Sequence, residues 1–142
     1  TTDAHSGATE NYKGAFDGAL TFGEKPVLLL IDVCRAYIDP ESPLYAGVES
    51  SVESMKRLVA AAREAGVPVV WTRVEYEPGG ANGGYFYKKV PALKLFDAGS
   101  PYLAWVEGLE PEPQDRVYTK QYPSAFVGTS LADDLPLTVS TP

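Results

Sequence analysis

Three side chains carry most of the chemistry this sequence offers. Asp32 closes the apolar run Val27-Leu28-Leu29-Leu30-Ile31, Lys120 closes the segment Arg116–Lys120, and Cys34 is the one thiol among 142 residues. A carboxylate that follows buried apolar residues loses solvation, which suits a base. The plainer role for Asp32 is to cap a turn by accepting from backbone N–H groups. A lysine at a strand end can stabilise developing negative charge or hold a nearby thiol ionised; otherwise it is an ordinary solvated cation. Cys34 invites assignment as a nucleophile. However, an unperturbed thiol with a pKa of about 8.5 is scarcely ionised at neutral pH. The sequence also sends Cys34 from a strand into a loop, away from the helix N-terminus that favours an anion. A small buried cysteine is the stronger reading.

These groups need elements to position them. The five-residue apolar run 27–31 does not alternate, as expected of a strand buried on both faces. After a Pro- and Tyr-bearing loop, Val52, Met55, Val59 and Ala62 recur at helical spacing, predicting a helix over 49–65. Gly66 follows as its stop, and Val67-Pro68-Val69-Val70-Trp71 reads as a second strand. Strand, helix, glycine and strand make a βαβ unit, so the two strands should be parallel. Residues 77–84 are glycine-rich without G-x-G-x-x-G spacing, and the aromatics Tyr85, Phe86 and Tyr87 stand where a dinucleotide-binding helix would begin. A mobile surface loop is the main expectation there, and a lid the sharper one. The segment 85–109 has no clear period. A rigid acidic turn leads into a third strand over 116–120, and a short helix over 131–135 should stop at Pro136. Asp32 and Lys120 would then lie at the carboxyl ends of strands in one sheet, where open α/β sheets bind ligands. Lys88, Lys89 and Lys94 fit either the attraction of an anionic substrate or a solvated face.

Composition narrows the partners. A net charge of -7, with 19 acidic against 12 basic residues, opposes binding to phosphate backbones, so nucleic acid is not an expected partner. No apolar run approaches the roughly 18 residues of a membrane helix, and no secretory h-region is evident near the start; a cytoplasmic location is the default expectation. One histidine, His5, and one cysteine cannot assemble a zinc cluster. No D-x-[DN]-x-[DN]-G calcium loop occurs, so no metal and no cofactor is expected. Residues 1–24 read as a polar arm, and 25–142 as one domain.

Three blocks taken in order are more specific than any one of them: Lys25-Pro26-Val27-Leu28-Leu29-Leu30-Ile31-Asp32-Val33-Cys34-Arg35-Ala36-Tyr37, Ala65-Gly66-Val67-Pro68-Val69-Val70, and Lys120-Gln121-Tyr122-Pro123-Ser124-Ala125-Phe126. Together they resemble the isochorismatase-like cysteine hydrolases, most of all the N-carbamoylsarcosine amidase branch; maleamate-type amidohydrolases would share all three blocks. The resemblance spans about 11–135. It implies an α/β fold of three layers, a mostly parallel sheet with helices on both faces, assembled into homo-oligomers. It implies an Asp–Lys–Cys triad with the aspartate on Asp32 and the lysine on Lys120, and a pocket lined by Tyr37 and Phe126. The implied reaction cleaves an amide or carbamoyl C–N bond of a small molecule through a cysteine thioester, releasing ammonia without a metal. Trp71-Thr72-Arg73-Val74 offers none of the Asp/His metal ligands that nicotinamidases of the superfamily carry after the second strand.

In the resembled pattern the nucleophile lies about one βα unit beyond the lysine. No cysteine follows Lys120, and Cys34 belongs to the first block. The expectation is therefore a domain incomplete at its C-terminal end, inactive as written, or a non-catalytic remnant of the fold. The first strand would lack its further neighbour and keep an open apolar edge, an aggregation hazard. The 142-residue chain alone is expected to be unstable or completed by another copy. Size-exclusion chromatography with thermal unfolding tests this; a cooperative transition of a monomer, independent of concentration, would contradict it.

Overall fold

The computed structural model describes residues 23–138. The expected N-terminal arm lies almost wholly outside them, as does His5. Strand β1 (Leu28–Ile31) is followed by helix α1 (Glu49–Glu64), β2 (Val69–Val74), the short helix α2 (Gly84–Lys89), β3 (Arg116–Lys120) and α3 (Leu131–Thr138). The strands form one parallel sheet in the order β1-β2-β3, with Leu28 opposite Val69, Ile31 opposite Thr72, and Val74 opposite Lys120. Parallel pairing brings all three carboxyl ends to one side, which is what places Asp32 and Lys120 together.

The non-alternating apolar runs have a direct explanation in the packing. Leu28 and Leu30 of β1, with Val69 and Trp71 of β2, face Val52, Met55, Val59 and Ala62 of α1. Leu29 and Val70, with Val27, face the other way, toward Tyr118, Ala125 and Leu131 at the start of α3. Strands β1 and β2 thus each feed two cores, and the three-layer α/β arrangement follows. Among the described residues β1 pairs only with β2, so the expected double burial holds for Leu30 but not for Ile31, which is 60% exposed.

Several boundaries differ from those read in the sequence. Strand β2 starts two residues later than expected, after Pro68, and runs on to Val74 because Arg73 and Val74 pair with Thr119 and Lys120. The aromatics after the glycine-rich loop do form a helix: Tyr87 of α2 is buried edge-on against Tyr76. The loop before it is a tied turn, with Glu77 N donating to Asn82 Oδ1 and Gly80 N donating to Glu77 O. Gly80 has φ +73°, and a Cβ there would stand 2.1 Å from the Tyr87 ring, so both conformation and close approach call for glycine. Pro136 does not stop α3. The buried Leu131 and the packed Leu135 hold the helix to the sheet, outweighing one lost backbone hydrogen bond. Among the described residues no helix is long and apolar enough to cross a membrane.

A buried ionic clamp locks the amino ends of β2 and β3. The Asp115 side chain is 1% exposed, and Arg63 near the end of α1 donates to both of its oxygens at 2.9 and 2.6 Å. Trp71 Nε1 and the Glu112 N–H donate to Oδ2, each at 2.9 Å. Burial pushes the Asp115 carboxyl upward, but the donors from Arg63, Glu112 and Trp71 outweigh it and hold the group below its ordinary value. A depressed folded pKa gives stability that is full above about pH 4 and is lost as pH falls through the folded value. Asp115→Asn is therefore expected to cost about 2–3 kcal/mol at pH 7. It should also flatten the decline of melting temperature below about pH 4. Parallel acid limbs in variant and wild type would refute the assignment.

Candidate active site

The residue after β1 turns the chain sharply. Asp32 has φ +57°, and among the described residues it is the one non-glycine with positive φ. Aspartate tolerates this region better than most residues. Its N–H still donates to Thr72 O at 3.2 Å, continuing the ladder, while its carboxylate meets partners from the other two strands, β2 and β3. Lys120 Nζ lies 3.1 Å from Oδ2, and Thr72 Oγ1 donates to Oδ1 at 3.3 Å. Lys120 is 2% exposed and Thr72 1%. Lys120 Nζ also donates to Pro123 O at 2.7 Å, which ties the loop after β3 to the pair. A buried ammonium held by a carboxylate and a carbonyl satisfies the rule that buried charges are paired.

Beside Asp32 opens a cavity of about 360 Å3, lined mainly by apolar side chains from the β1 end, the following loop and α1. Cys34 and Tyr37 are on its wall, whereas Lys120 stands behind Asp32 and is not. A larger hollow of about 550 Å3 lies at the opposite, amino end of the strands, around Arg63, Pro68, Asp115 and Arg116. It holds none of the groups at the strand carboxyl ends, and its charged residues Arg63 and Asp115 are committed to the clamp. The smaller cavity is the one beside the reactive pair.

Of the residues singled out in the sequence, Asp32, Lys120 and Tyr37 converge. Burial pushes the Tyr37 phenol up to about 12, with Cys34, Asp32 and Tyr76 adding to the effect. Phe126 lies in the loop after β3, 57% exposed and away from the cavity lining. Cys34 is 8% exposed in a cluster with Ala36, Tyr76, Tyr87 and Phe96. Burial is the main cause that raises its thiol to about 11. It is a packed, neutral thiol beside the site. Lys88, Lys89 and Lys94 stay exposed. Thr72 and the Pro123 carbonyl were not singled out in the sequence. Thr72 had one visible signal, a hydroxyl directly after the apolar run that ends at Trp71; no spacing pointed to the carbonyl. Among the described residues no three His, Cys, Asp or Glu side chains gather as a metal site.

Comparison with known proteins decides the relationship. Residues 26–135 match the isochorismatase domain, so Asp32 and Lys120 both fall inside the matched region. The chain belongs to that family. It is 43% identical over 133 residues to maleamate amidohydrolase of Pseudomonas putida, covering 92% of this chain and 62% of that protein. It is 30% identical over 122 residues to N-carbamoylsarcosine amidase of an Arthrobacter species, covering 82% of this chain and 46% of that one. The chain thus spans roughly half to three-fifths of these relatives' lengths. Among solved structures, an isochorismatase family protein from Desulfovibrio vulgaris superposes with a TM-score of 0.69 at 27% identity, over 79% of this chain and 60% of the other. A cysteine hydrolase from Pseudomonas syringae shares the fold at TM-score 0.76 and 22% identity, over 87% of this chain and 61% of that chain.

The burial of Cys34 has a measurable consequence. Alkylation of the native chain by iodoacetamide is expected to be very slow at pH 7 and to accelerate up to about pH 11. Rapid labelling at neutral pH that levels off near pH 8 would show an activated thiol instead.

Proposed function

We propose that this isochorismatase-family chain contributes the base and the cation of an amidohydrolase site acting on a small linear amide of the maleamate type. The carrying observation is the buried contact of 3.1 Å between Lys120 and Asp32 at two strand ends, next to a cavity large enough for such a molecule. The higher identity to maleamate amidohydrolase favours that substrate type over the carbamoylsarcosine type.

In this reading Asp32 takes the proton of a thiol, and Lys120 stabilises the charges that result. The thiolate adds to the amide carbonyl, the C–N bond breaks, and ammonia leaves with the proton held by Asp32. Water then attacks the thioester, the acid departs, and the thiol is restored. Cys34 does not fit as that thiol, being buried and held neutral by its surroundings. The reading assigns the thiol to the part of the family's length that these residues do not span. Thr72 orients Asp32, and the Pro123 carbonyl orients Lys120.

The test is ammonia release from maleamate by the protein expressed from its complete reading frame. Asp32→Asn is expected to lower kcat by at least about 100-fold, consistent with general-base loss, with a much smaller change in KM. Lys120→Met should lose a similar factor. Variants that retain more than a tenth of wild-type kcat would remove both groups from the mechanism. Loss of activity on Cys34→Ser, with folding intact, would reassign the thiol.

A further inference from the structure

The loop between β3 and α3 carries an acceptor on which the site depends, since Pro123 O receives the Lys120 ammonium at 2.7 Å. Tyr122, Pro123 and Ser124 are all exposed, so burial of their side chains does not fix that carbonyl. An exposed loop with little packing of its own opens locally at small cost. What holds this one lies further along the chain.

Three anchors follow Pro123. Ser124 closes a turn, with Val127 N donating to Ser124 O and Phe126 N donating to Ser124 Oγ, each at 3.2 Å. Ala125 places its methyl group in the core formed with Val70, Tyr118 and Leu131. Thr129 makes the third, because its hydroxyl donates to Ala125 O and accepts from Leu131 N at 3.2 Å. Gly128, with φ +75°, makes the bend between them. The Leu131 N–H is one of the first-turn donors that a helix leaves without an internal acceptor. Leu131 itself is 1% exposed and packed on the sheet. One hydroxyl thus joins the loop to a helix that packing already holds. The neighbouring Ser130 Oγ instead donates forward to Asp134 of α3 at 2.7 Å.

We infer that Thr129 is a positioning residue for Lys120: by tying the Ala125 carbonyl to the start of α3, it holds the loop that delivers the Pro123 carbonyl to the ammonium. Its catalytic meaning rests on the amidohydrolase reading of the Asp32–Lys120 pair, whereas the placement of the ammonium rests on these contacts alone. Thr129 touches neither reacting group. Its effect passes to the carbonyl two residues before Ala125, and from there to the cation. Without the tie, Lys120 keeps Asp32 but loses its second acceptor for part of the time. Misplacing a catalytic group by about an ångström costs up to about 100-fold in rate, so partial loosening falls on kcat.

The experiment is Thr129→Val, which keeps the branched shape and removes the hydroxyl, in the protein expressed from its complete reading frame. Lysines are acetylated with acetic anhydride at pH 8, and mass spectrometry compares Lys120 with the exposed Lys88 and Lys89. Labelling of Lys120 is expected to rise at least about fivefold in Thr129→Val. It should stay at the wild-type level in Thr129→Ser, which retains both bonds, and in Ser130→Ala, which loosens the start of α3 without touching the loop. In ammonia release from maleamate, Thr129→Val should lower kcat about tenfold with KM within about twofold of wild type. Wild-type labelling of Lys120 in Thr129→Val would make Thr129 a helix cap and overturn the inference, whatever the melting temperature does. Equal gains in Ser130→Ala would assign the effect to helix stability and overturn it too, as would a Thr129→Ser protein that labels like Thr129→Val. The labelling needs no substrate, so it decides the inference separately from the reading of the Asp32–Lys120 pair.

Discussion

A lysine ammonium that is 2% exposed cannot be left without a counter-charge, and much of the geometry at one end of this sheet follows from that constraint. The counter-charge comes from the residue after β1, two strands away, so β2 must lie between and in parallel register. The carbonyl of Pro123 supplies the second acceptor, which draws the loop after β3 back over the strand end. Thr72 fills the remaining polar requirement of Asp32 from the intervening strand. Removing the Asp32 carboxylate would leave the Lys120 ammonium buried without its counter-charge, a situation that costs more than the pair itself stabilises.

The amino end of the sheet solves a similar problem by different means. Asp115 is as buried as Lys120, but its partner Arg63 arrives from a helix and binds it through two parallel donors. That bidentate geometry fixes orientation as well as distance. The indole of Trp71 completes the arrangement, joining the α1-facing core to the clamp. The two ion pairs therefore divide the labour along the strands. One holds α1 and β3 to β2 and leaves no group free, whereas the other leaves a carboxylate beside a cavity.

The sequence carried the fold in those places where one force dominates. The run 27–31 was legible because two-faced burial excludes polar residues, and the helix over 49–64 because its apolar stripe is complete and Gly66 ends it at φ +69°. Strand β3 was legible to the residue. Boundaries failed where pairing or packing overrode a local signal, as at Pro136 and at the carboxyl end of β2. The segment 85–109 was opaque because its order comes from contacts outside it in sequence, such as the bridges of Tyr76 with Asp97 and of Cys34 with Trp105. For the site, the charged pair was legible from strand ends and resemblance together. Thr72 and the Pro123 carbonyl were not, because their roles arise only from register and from the path of loops.

The left-handed backbone at Asp32 carries a consequence for how this site could change by mutation. The position admits few side chains before chemistry is considered at all: glycine, asparagine and histidine keep the turn, while branched and bulky residues strain it. Of these only histidine is a base, and none carries the negative charge that the buried lysine needs. A lineage or an engineered library exploring position 32 therefore meets a conformational filter first, and what passes it has lost the carboxylate.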